Sequence, residues 1–461
     1  MTRPASPRGL VVLLLFLGLT LFLFAGEYDW MAWPLAAIAV GLTLVVRPAI
    51  GDRDTRWLDL SLLGYGCCVA LQRIPLPPGL RLALSPALRA VDLQLRVDAP
   101  VIPGTDSLHA LSVNPEGTTL SLLVVLSVVL TFWCARAIFV RGGVRFAARA
   151  VAVMGLTLAA FGIAQHTTAP HWFYGTIVPR QVTPFGPYLN HSDFAMWLVM
   201  ALLLTGGYLV ARLDSRQPDG RQRALSAGSF DSFDNRALWL TMAAAAMAAA
   251  VVVGLSRSGL VAAVAGFTTL WMLSSTRMGR RGRTWMLAGF GVVAVIALLF
   301  TNATAMAGRI EQTISGAGGR MAIWRATWPM ARDFWLTGIG AGAFERGMIV
   351  YQPSPHETFF NHAHNDYLQM LTEGGVLLAI PAIAAAVAGI IVIRRRLKSD
   401  RSSIYWIRAG AVSGLVAAAV QSIWETGLRV PANTLLFAVL AAIALHNSQS
   451  SRGSPGAQGS V

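Results

Sequence analysis

Long apolar runs recur along the whole chain and alternate with shorter polar segments. A helix of about 20 apolar residues crosses the hydrocarbon core of a bilayer. By this pattern we expect twelve spans, near 9–25, 31–47, 57–72, 118–138, 148–164, 192–211, 237–254, 258–274, 285–301, 376–393, 405–423 and 432–446. The pattern predicts an all-α polytopic membrane protein of about 12 transmembrane helices.

The polar segments indicate one membrane domain followed by a tail. Residues 1–446 read as a single polytopic domain, and the tail 447–461 has the composition of a disordered segment. The largest loop, at about 302–375, contains an amphipathic pattern that predicts a surface helix. The first apolar run follows a basic N-terminus but has no convincing cleavage site, so we expect an uncleaved first span.

Composition and charge agree with a membrane protein. The chain is 55% hydrophobic and only 13% charged, which excludes an ordinary soluble globular protein. Of its 37 Lys and Arg residues, 25 fall in the loops on one side of the predicted topology. Positive loops stay in the cytoplasm, so both termini are expected there and the loop 302–375 outside. Orientation thus explains the net charge of +15, and no nucleic-acid partner is expected.

Polar chemistry concentrates in the stretch 361–375. Read as a helix from about His364, it places Asp366 one turn beyond His362, so these two would brace the segment. His364 would stand at the positive end of the helix dipole, which keeps its ring neutral and available as a base. The alternative is a polar start to a membrane helix that only meets water.

The histidines of this region offer a weaker case for a metal. His356, His362 and His364 could be ligands, but His362 and His364 are two apart and no Cys or inward carboxylate completes a set. The three cysteines lie in apolar segments and behave as small hydrophobic residues. We therefore expect no metal and no other cofactor.

Some arginines lie in loops that are predicted to be outside the cytoplasm. They oppose the charge bias, so their presence needs another explanation. Arg257 stands in a turn of about four residues between two apolar spans, where its guanidinium must find an anion, a carbonyl or lipid headgroups. On the predicted amphipathic helix, Arg325 and Arg332 share a face while Arg320 points elsewhere, and Ile323, Trp324, Thr327 and Trp328 form the apolar side. The Gly-rich run 337–344 lacks the Lys and Ser/Thr of a phosphate-binding loop and is expected to form a compact turn.

Several of these motifs resemble the bacterial O-antigen ligase and polymerase family. The shared runs are His362-Ala-His364-Asn365-Asp-Tyr-Leu-Gln-Met-Leu-Thr-Glu373-Gly-Gly375, Gly319-Arg320 with Trp324-Arg325, Gly338-Ile-Gly340-Ala-Gly-Ala-Phe344, Ser256-Arg257-Ser258-Gly259 and Gly186-Pro-Tyr-Leu-Asn190-His191-Ser-Asp-Phe194-Ala195. They cover roughly residues 180–395 in the family's order, whereas the N-terminal third agrees only in hydropathy.

The resemblance implies a GT-C-like glycosyltransferase of the bacterial inner membrane that works at the periplasmic face. Its donor would be an undecaprenyl-pyrophosphate-linked glycan, its acceptor a hydroxyl of lipid A-core or another glycan, and its surroundings membrane lipids, without metal or nucleotide sugar. It implies that His364 is the base and that Arg257, with Arg320 or Arg325, holds the pyrophosphate. Further candidates for supporting roles are His362, Asn365, Asp366, Glu373, Asn190 and Arg180.

Three activities share these motifs: ligation of a finished glycan to lipid A-core, polymerisation of repeat units, and transfer of glycan to protein hydroxyls. A secondary transporter is a different class that twelve spans would suit. The spans have almost no ionisable residues at their centres, however, and ion-coupled carriers usually need them. The expectation is an O-antigen ligase-like glycosyltransferase, with a polymerase as the nearest alternative.

Overall fold

A computed structural model describes residues 7–95, 108–178, 184–214, 235–275, 277–279, 320–353 and 359–447. The α-helices in these residues are α1 (Pro7–Phe22), α2 (Ala32–Val46), α3 (Arg56–Leu71), α4 (Pro78–Leu84), α5 (Leu88–Leu95), α6 (Pro115–Val140), α7 (Val144–Thr168), α8 (His191–Asp214), α9 (Asn235–Val253), α10 (Arg257–Ser275), α11 (320–333), α12 (Phe344–Tyr351), α13 (Asp366–Ser399), α14 (Ile404–Gln421) and α15 (Pro431–Ala444).

Extended structure is minor in the described part of the chain. Strand β1 (Pro75–Leu76) pairs antiparallel with β2 (His109–Ala110), and β3 (Trp172–Phe173) pairs antiparallel with β4 (Thr176–Ile177). Helices therefore carry the fold. The predicted all-α polytopic membrane class is confirmed.

The spans follow the predicted runs closely. Eight described helices are long and apolar enough to cross a membrane, namely α2 with the turn before it, α6, α7, α8, α9, α10, α13 and α14, while α1 and α15 are shorter apolar helices. Helix α3 fills the predicted span 57–72 but is less apolar than the others, since it carries Asp59 and Ser61. The predicted span 285–301 and most of the tail lie outside the described residues.

Asparagine side chains cap the starts of two helices, α6 and α13. The Asn114 side chain accepts a hydrogen bond from the Gly117 amide and caps α6, and Pro115 follows at the first helical position. The Asn365 side chain caps α13 in the same way by accepting from the Leu368 amide at 2.9 Å. Both caps satisfy amides that would otherwise lack a partner at a helix N-terminus.

The centre of the bundle is α8, which is largely enclosed by α7, α9, α10 and α14. Its Gly207 meets Gly410 of α14 so closely that a Cβ on either residue would overlap the backbone of the facing helix. Small residues allow such close approach between helices in a membrane. The close packing of α8 and α14 therefore supports the loops at the ends of these helices.

The two ends of the bundle differ in chemistry. One end, called the basic end, contains the contacts of Arg395 and Arg396 with Asp54, of Arg408 with Asp400 and of Arg277 with the Asp400 carbonyl. The other end, called the site end, contains the starts of α2, α6, α8, α10, α13 and α15 and the loops that connect them.

A second apolar layer covers part of the site end. Leu88, Val91, Met330, Phe334 and Phe344 are all buried in one cluster that joins α5, α11 and α12. Leu88 and Val91 come from the segment 73–117, whereas the other three residues come from the segment 302–375. The loops 73–117 and 302–375 therefore form one layer where both are described.

Helix α11 confirms the predicted amphipathic helix, and the residues of its predicted apolar side differ in burial. Ile323, Thr327 and Met330 are buried, whereas Trp328 is 59% exposed. The Trp324 indole lies between these faces and donates to the Ala363 carbonyl at 2.9 Å. Through that bond α11 is fixed against the stretch that contains the two histidines.

Candidate active site

Glu425 joins the predicted functional segments at the site end. Its side chain, in the loop between α14 and α15, is only 2% exposed. Oε1 accepts hydrogen bonds from Arg320 on α11 and from the Ser258 hydroxyl on α10, the latter at 3.1 Å. Oε2 lies 3.5 Å from Nδ1 of His364. We call Glu425, Arg320, Ser258 and His364 the carboxylate cluster.

His364 lies before α13 and not inside it. The helix begins at Asp366, and the residue before it, Asn365, is the cap, so the expected helix start at His364 is wrong by two residues. His364 has a φ of 48°, which an L-residue adopts at a free-energy cost of about 1–3 kcal/mol. Neighbouring bonds hold it there, including the 3.0 Å bond from the Ala363 amide to Gln369.

The His364 side chain is accessible while its partner carboxylate is buried. It is 32% exposed, against 2% for Glu425. The 3.5 Å separation is at the outer limit of a hydrogen bond, and such contacts often shorten when a substrate binds. The geometry suits an imidazole with one nitrogen beside a carboxylate and the rest of the ring near solvent.

The carboxyl of Glu425 is charged in this environment. Burial raises its pKa, but the contact with His364 and the positive charge of Arg320 outweigh burial and hold the pKa below its ordinary value. A buried carboxylate surrounded by donors in this way is a fixed negative charge at neutral pH.

His362 is a different kind of histidine. Burial, then the positive charge of Arg429 and then His364 lower its pKa to about 3, so its ring is neutral near pH 7. The predicted brace between His362 and Asp366 is wrong. Asp366 instead accepts from the Ser422 hydroxyl at 2.8 Å and from the Leu428 amide at 3.2 Å.

Asp366 therefore fixes the loop that carries Glu425. Its own amide donates to the carbonyls of Ser422 and Glu425, at 2.9 and 3.2 Å. Four bonds thus tie the first turn of α13 to the end of α14. We missed this role in the sequence because it depends on contacts about 60 residues apart.

Glu373 also belongs to an ion pair that spacing alone does not show. Its Oε1 accepts from Arg429 at 2.7 Å and from Gln369 at 3.1 Å. Its carbonyl accepts from Gln72 at 2.8 Å and from the Gly340 amide at 3.0 Å. Glu373 and Arg429 together connect α13, the loop after α14 and the Gly-rich turn.

The Gly-rich run 337–344 forms the compact turn that we predicted. Gly338, Gly340 and Gly342 all have positive φ. Gln72 is enclosed by this turn, since its Nε2 donates to the Thr337 carbonyl at 2.7 Å and its Oε1 accepts from the Ala341 amide at 2.9 Å. The turn therefore encloses Gln72 and contacts the Glu373 carbonyl.

Arg257 is the first residue of α10, directly before the Ser258 that contacts Glu425. Its side chain is exposed. Ser256 caps α10 by accepting from the Gly259 amide at 3.1 Å, and its hydroxyl donates to the Ser192 hydroxyl of α8 at 3.2 Å. Ser256 and Ser192 thus stabilise the turn that contains Arg257, and the next residue, Ser258, belongs to the carboxylate cluster.

The remaining predicted residues divide into three groups. Asn190 caps the start of α8, because its side chain accepts from the Ser192 amide at 2.9 Å. Arg325 is exposed on α11 and contributes nothing to the carboxylate cluster in the described part of the chain. Arg180 and His356 lie outside the described residues, and among the residues within them no three His, Cys, Asp or Glu side chains gather as a metal site.

Glu425 and Arg429 are the main residues that we missed. Both stand in the short segment 422–430 between two apolar helices. That is the same signal that singled out Arg257: ionisable side chains in a short connection at a membrane surface. Applied evenly, the argument would have found all three.

One family model matches part of the chain. Residues 242–382 match the family model described as O-antigen ligase. The matched segment contains Arg257, Arg320, His364 and Glu373, whereas Glu425 and Arg429 lie beyond it. Comparison with curated proteins gave no match.

Proposed function

We propose that this chain, in which residues 242–382 match the O-antigen ligase family model, transfers a glycan from undecaprenyl-pyrophosphate to a hydroxyl of lipid A-core. The match supports ligase- or polymerase-type glycosyl transfer in general. The donor, the acceptor and the residue roles are the proposal. The observation that supports them most is the carboxylate cluster, which gathers a base, a carboxylate and a guanidinium beside Arg257.

The reaction needs a proton acceptor for a weak nucleophile. In the proposal, His364 Nε2 takes the proton from the acceptor hydroxyl as its oxygen bonds to the anomeric carbon. Glu425 beside Nδ1 favours the tautomer with the proton on Nδ1, which leaves Nε2 free to accept. General-base help of this kind is worth about 10²–10⁴-fold in rate.

The reaction also requires stabilisation of the negative charge on the leaving group. As the glycosyl bond breaks, its electron pair goes to the pyrophosphate, and negative charge grows on the phosphate oxygens. Guanidinium groups bind such oxygens through paired hydrogen bonds, so Arg257 and Arg320 are assigned to this charge. Arg320 contacts the same carboxylate as His364, and Arg257 directly precedes the Ser258 that also contacts it.

Arg320 also couples donor binding to the base. Without donor, its guanidinium is neutralised by Glu425. A pyrophosphate competes with that carboxylate for Arg320, and when Arg320 turns to the phosphate the negative charge of Glu425 acts on His364 alone. The base then becomes stronger when the leaving group is in place.

Orientation follows from the distribution of charge. The basic end contains Arg395, Arg396, Arg408 and Arg277, so by the positive-inside rule we assign it to the cytoplasm together with both termini. The site end then faces the periplasm of a bacterial inner membrane. A pyrophosphate-linked lipid can reach Arg257 there from the outer leaflet.

The glycan profile of a deletion strain tests the reaction class. We expect free, full-length glycans to accumulate on the carrier while lipid A-core stays unsubstituted, and the wild-type gene to restore the normal profile. Carrier-linked single repeats would assign a polymerase in place of a ligase. An unchanged profile would contradict both.

A further inference from the structure

A cavity opens at the site end, outside the carboxylate cluster. Its volume is about 500 Å³. It is lined by residues that include Trp33, Arg73, Glu116, Thr119, Leu120 and Arg346. These come from the start of α2, the end of α3, the start of α6 and α12. None of them takes part in the proposed reaction.

The charge of this cavity is positive. Arg73 donates through Nε to the Thr119 hydroxyl at 2.8 Å, a bond that leaves both Nη groups available. Arg346 forms no hydrogen bond or ion pair with any described residue, and Glu116 is paired with neither arginine there. Two guanidinium groups on one cavity match the oxygens of a phosphate, which they bind more strongly than a single carboxylate.

Trp33 adds a flat apolar surface to the same cavity. Its side chain is 60% exposed near the first turn of α2, at the level where a membrane helix meets the interface. Leu120 provides a second apolar contact. A sugar ring or the neck of a lipid headgroup can lie on an indole while its phosphate binds arginine.

Neighbours of the cavity-lining residues contact the Gly-rich turn and Glu373. Gln72, next to Arg73 in the chain, binds the carbonyls of Thr337 and Glu373. On the α6 side, the Thr118 hydroxyl donates to the Ala341 carbonyl at 2.8 Å. A ligand in the cavity thus contacts residues adjacent to the Gly-rich turn that also contacts Glu373.

We propose that this cavity binds the phosphorylated saccharide headgroup of a membrane amphiphile, and that this amphiphile is the acceptor. The second clause rests on the proposed function, and the first does not. Donor pyrophosphate and acceptor phosphate would then have separate pairs of arginines, Arg257 with Arg320 and Arg73 with Arg346. Both phosphates could then be bound at the same time.

Binding is tested without donor on the full chain carrying His364→Gln, so that no transfer accompanies binding. The probes are glucose 6-phosphate and glucose, titrated calorimetrically, and nanodiscs with or without phosphatidylglycerol, followed by thermal unfolding. We expect glucose 6-phosphate to bind and glucose to bind at least tenfold more weakly. Arg73→Ala and Arg346→Ala should each weaken phosphate binding about tenfold, the effect of losing about 1.4 kcal/mol.

The control is Arg332→Ala, which removes an arginine that is 75% exposed and lies outside both sites. It should bind like the parent, and Arg73→Lys should restore part of the lost affinity. Stabilisation by phosphatidylglycerol alone, lost in the Arg73 and Arg346 variants, would identify the ligand as a phospholipid and overturn the saccharide headgroup. Equal binding of glucose and its phosphate, or no effect of either substitution, would overturn the phosphate site.

Kinetics on otherwise wild-type protein test the acceptor role. Arg346→Ala should raise the acceptor KM about tenfold with kcat and the donor KM unchanged. A raised donor KM would overturn the acceptor assignment, although the binding result would stand. Absence of transfer by the wild type would contradict the proposed function and leave the calorimetric test of the cavity intact.

Discussion

At the scale of single residues, the structure separates two arginines that the sequence left as alternatives. Arg320 contacts Glu425, whereas Arg325 is exposed elsewhere on the same helix. Arg320→Ala should raise the donor KM at least tenfold through loss of a charge-assisted bond. Arg325→Ala is the matched control and should stay within about threefold. The measurement is the initial rate against lipid-linked donor, and equal losses in both variants would contradict the assignment.

Glu425 can be tested through its charge. Glu425→Gln keeps the size of the side chain but leaves Arg320 and His364 without a carboxylate, so turnover should fall about 10–100-fold, as for other residues that orient a functional group. A wild-type rate would mean that the carboxylate only packs. Asp at this position should retain part of the activity.

The pH dependence of the same variant has a definite sign. Because the folded-state pKa of Glu425 lies below its ordinary value of 4.5, its charge stabilises the fold above that value. The difference in unfolding temperature between wild type and Glu425→Gln should be constant from pH 5 to 8. It should shrink only as pH falls through the depressed pKa. A difference that disappears near pH 6 would contradict this.

At the scale of elements, α13 depends on a glycine. Gly375 has φ 55° and ψ −154°, and it divides the helix into a short segment at the site and a long segment in the membrane. A Cβ there would lie 2.6 Å from the Trp335 carbonyl oxygen. Gly375→Ala should destabilise the protein by roughly 1–3 kcal/mol and misplace the residues before it.

The same helix supplies the control. Gly389 has open space around the position of a Cβ, so Gly389→Ala should leave thermal unfolding and turnover unchanged or slightly improved. Unfolding in detergent compares the two variants directly. If Gly375→Ala is as stable as Gly389→Ala, the break in α13 is not a structural requirement.

Secondary structure could be predicted from the sequence where a single physical rule determines it. A backbone in lipid must satisfy its own hydrogen bonds, so apolar runs become helices, and nearly every predicted span in the described residues is one. The layer formed by α5, α11 and α12 was not predictable, because Leu88 and Phe334 are far apart in the chain. Likewise, Glu425 becomes part of a site only when α10, α11 and the histidine stretch meet around it.

At the scale of the whole molecule, the orientation of the protein in the membrane is a prediction that labelling can test. In a background without the three native cysteines, Glu345→Cys should react with a membrane-impermeant thiol reagent in intact cells, and Ser399→Cys should not. Both positions are exposed, Glu345 at the site end and Ser399 at the basic end. Labelling of Ser399→Cys alone would place the site in the cytoplasm and overturn the proposed topology.

The most direct test of the account is turnover by His364→Gln with purified lipid-linked donor, with donor binding measured separately. An amide can form hydrogen bonds but cannot take a proton, so we predict a loss of about 10² or more in kcat while the donor binds with its normal Kd. His362→Ala should lose less, because the pKa of about 3 and the burial of His362 fit a packed neutral ring. A His364→Gln enzyme with near-normal turnover, or a His362 variant that is much worse, would contradict the assignment of His364 as the base.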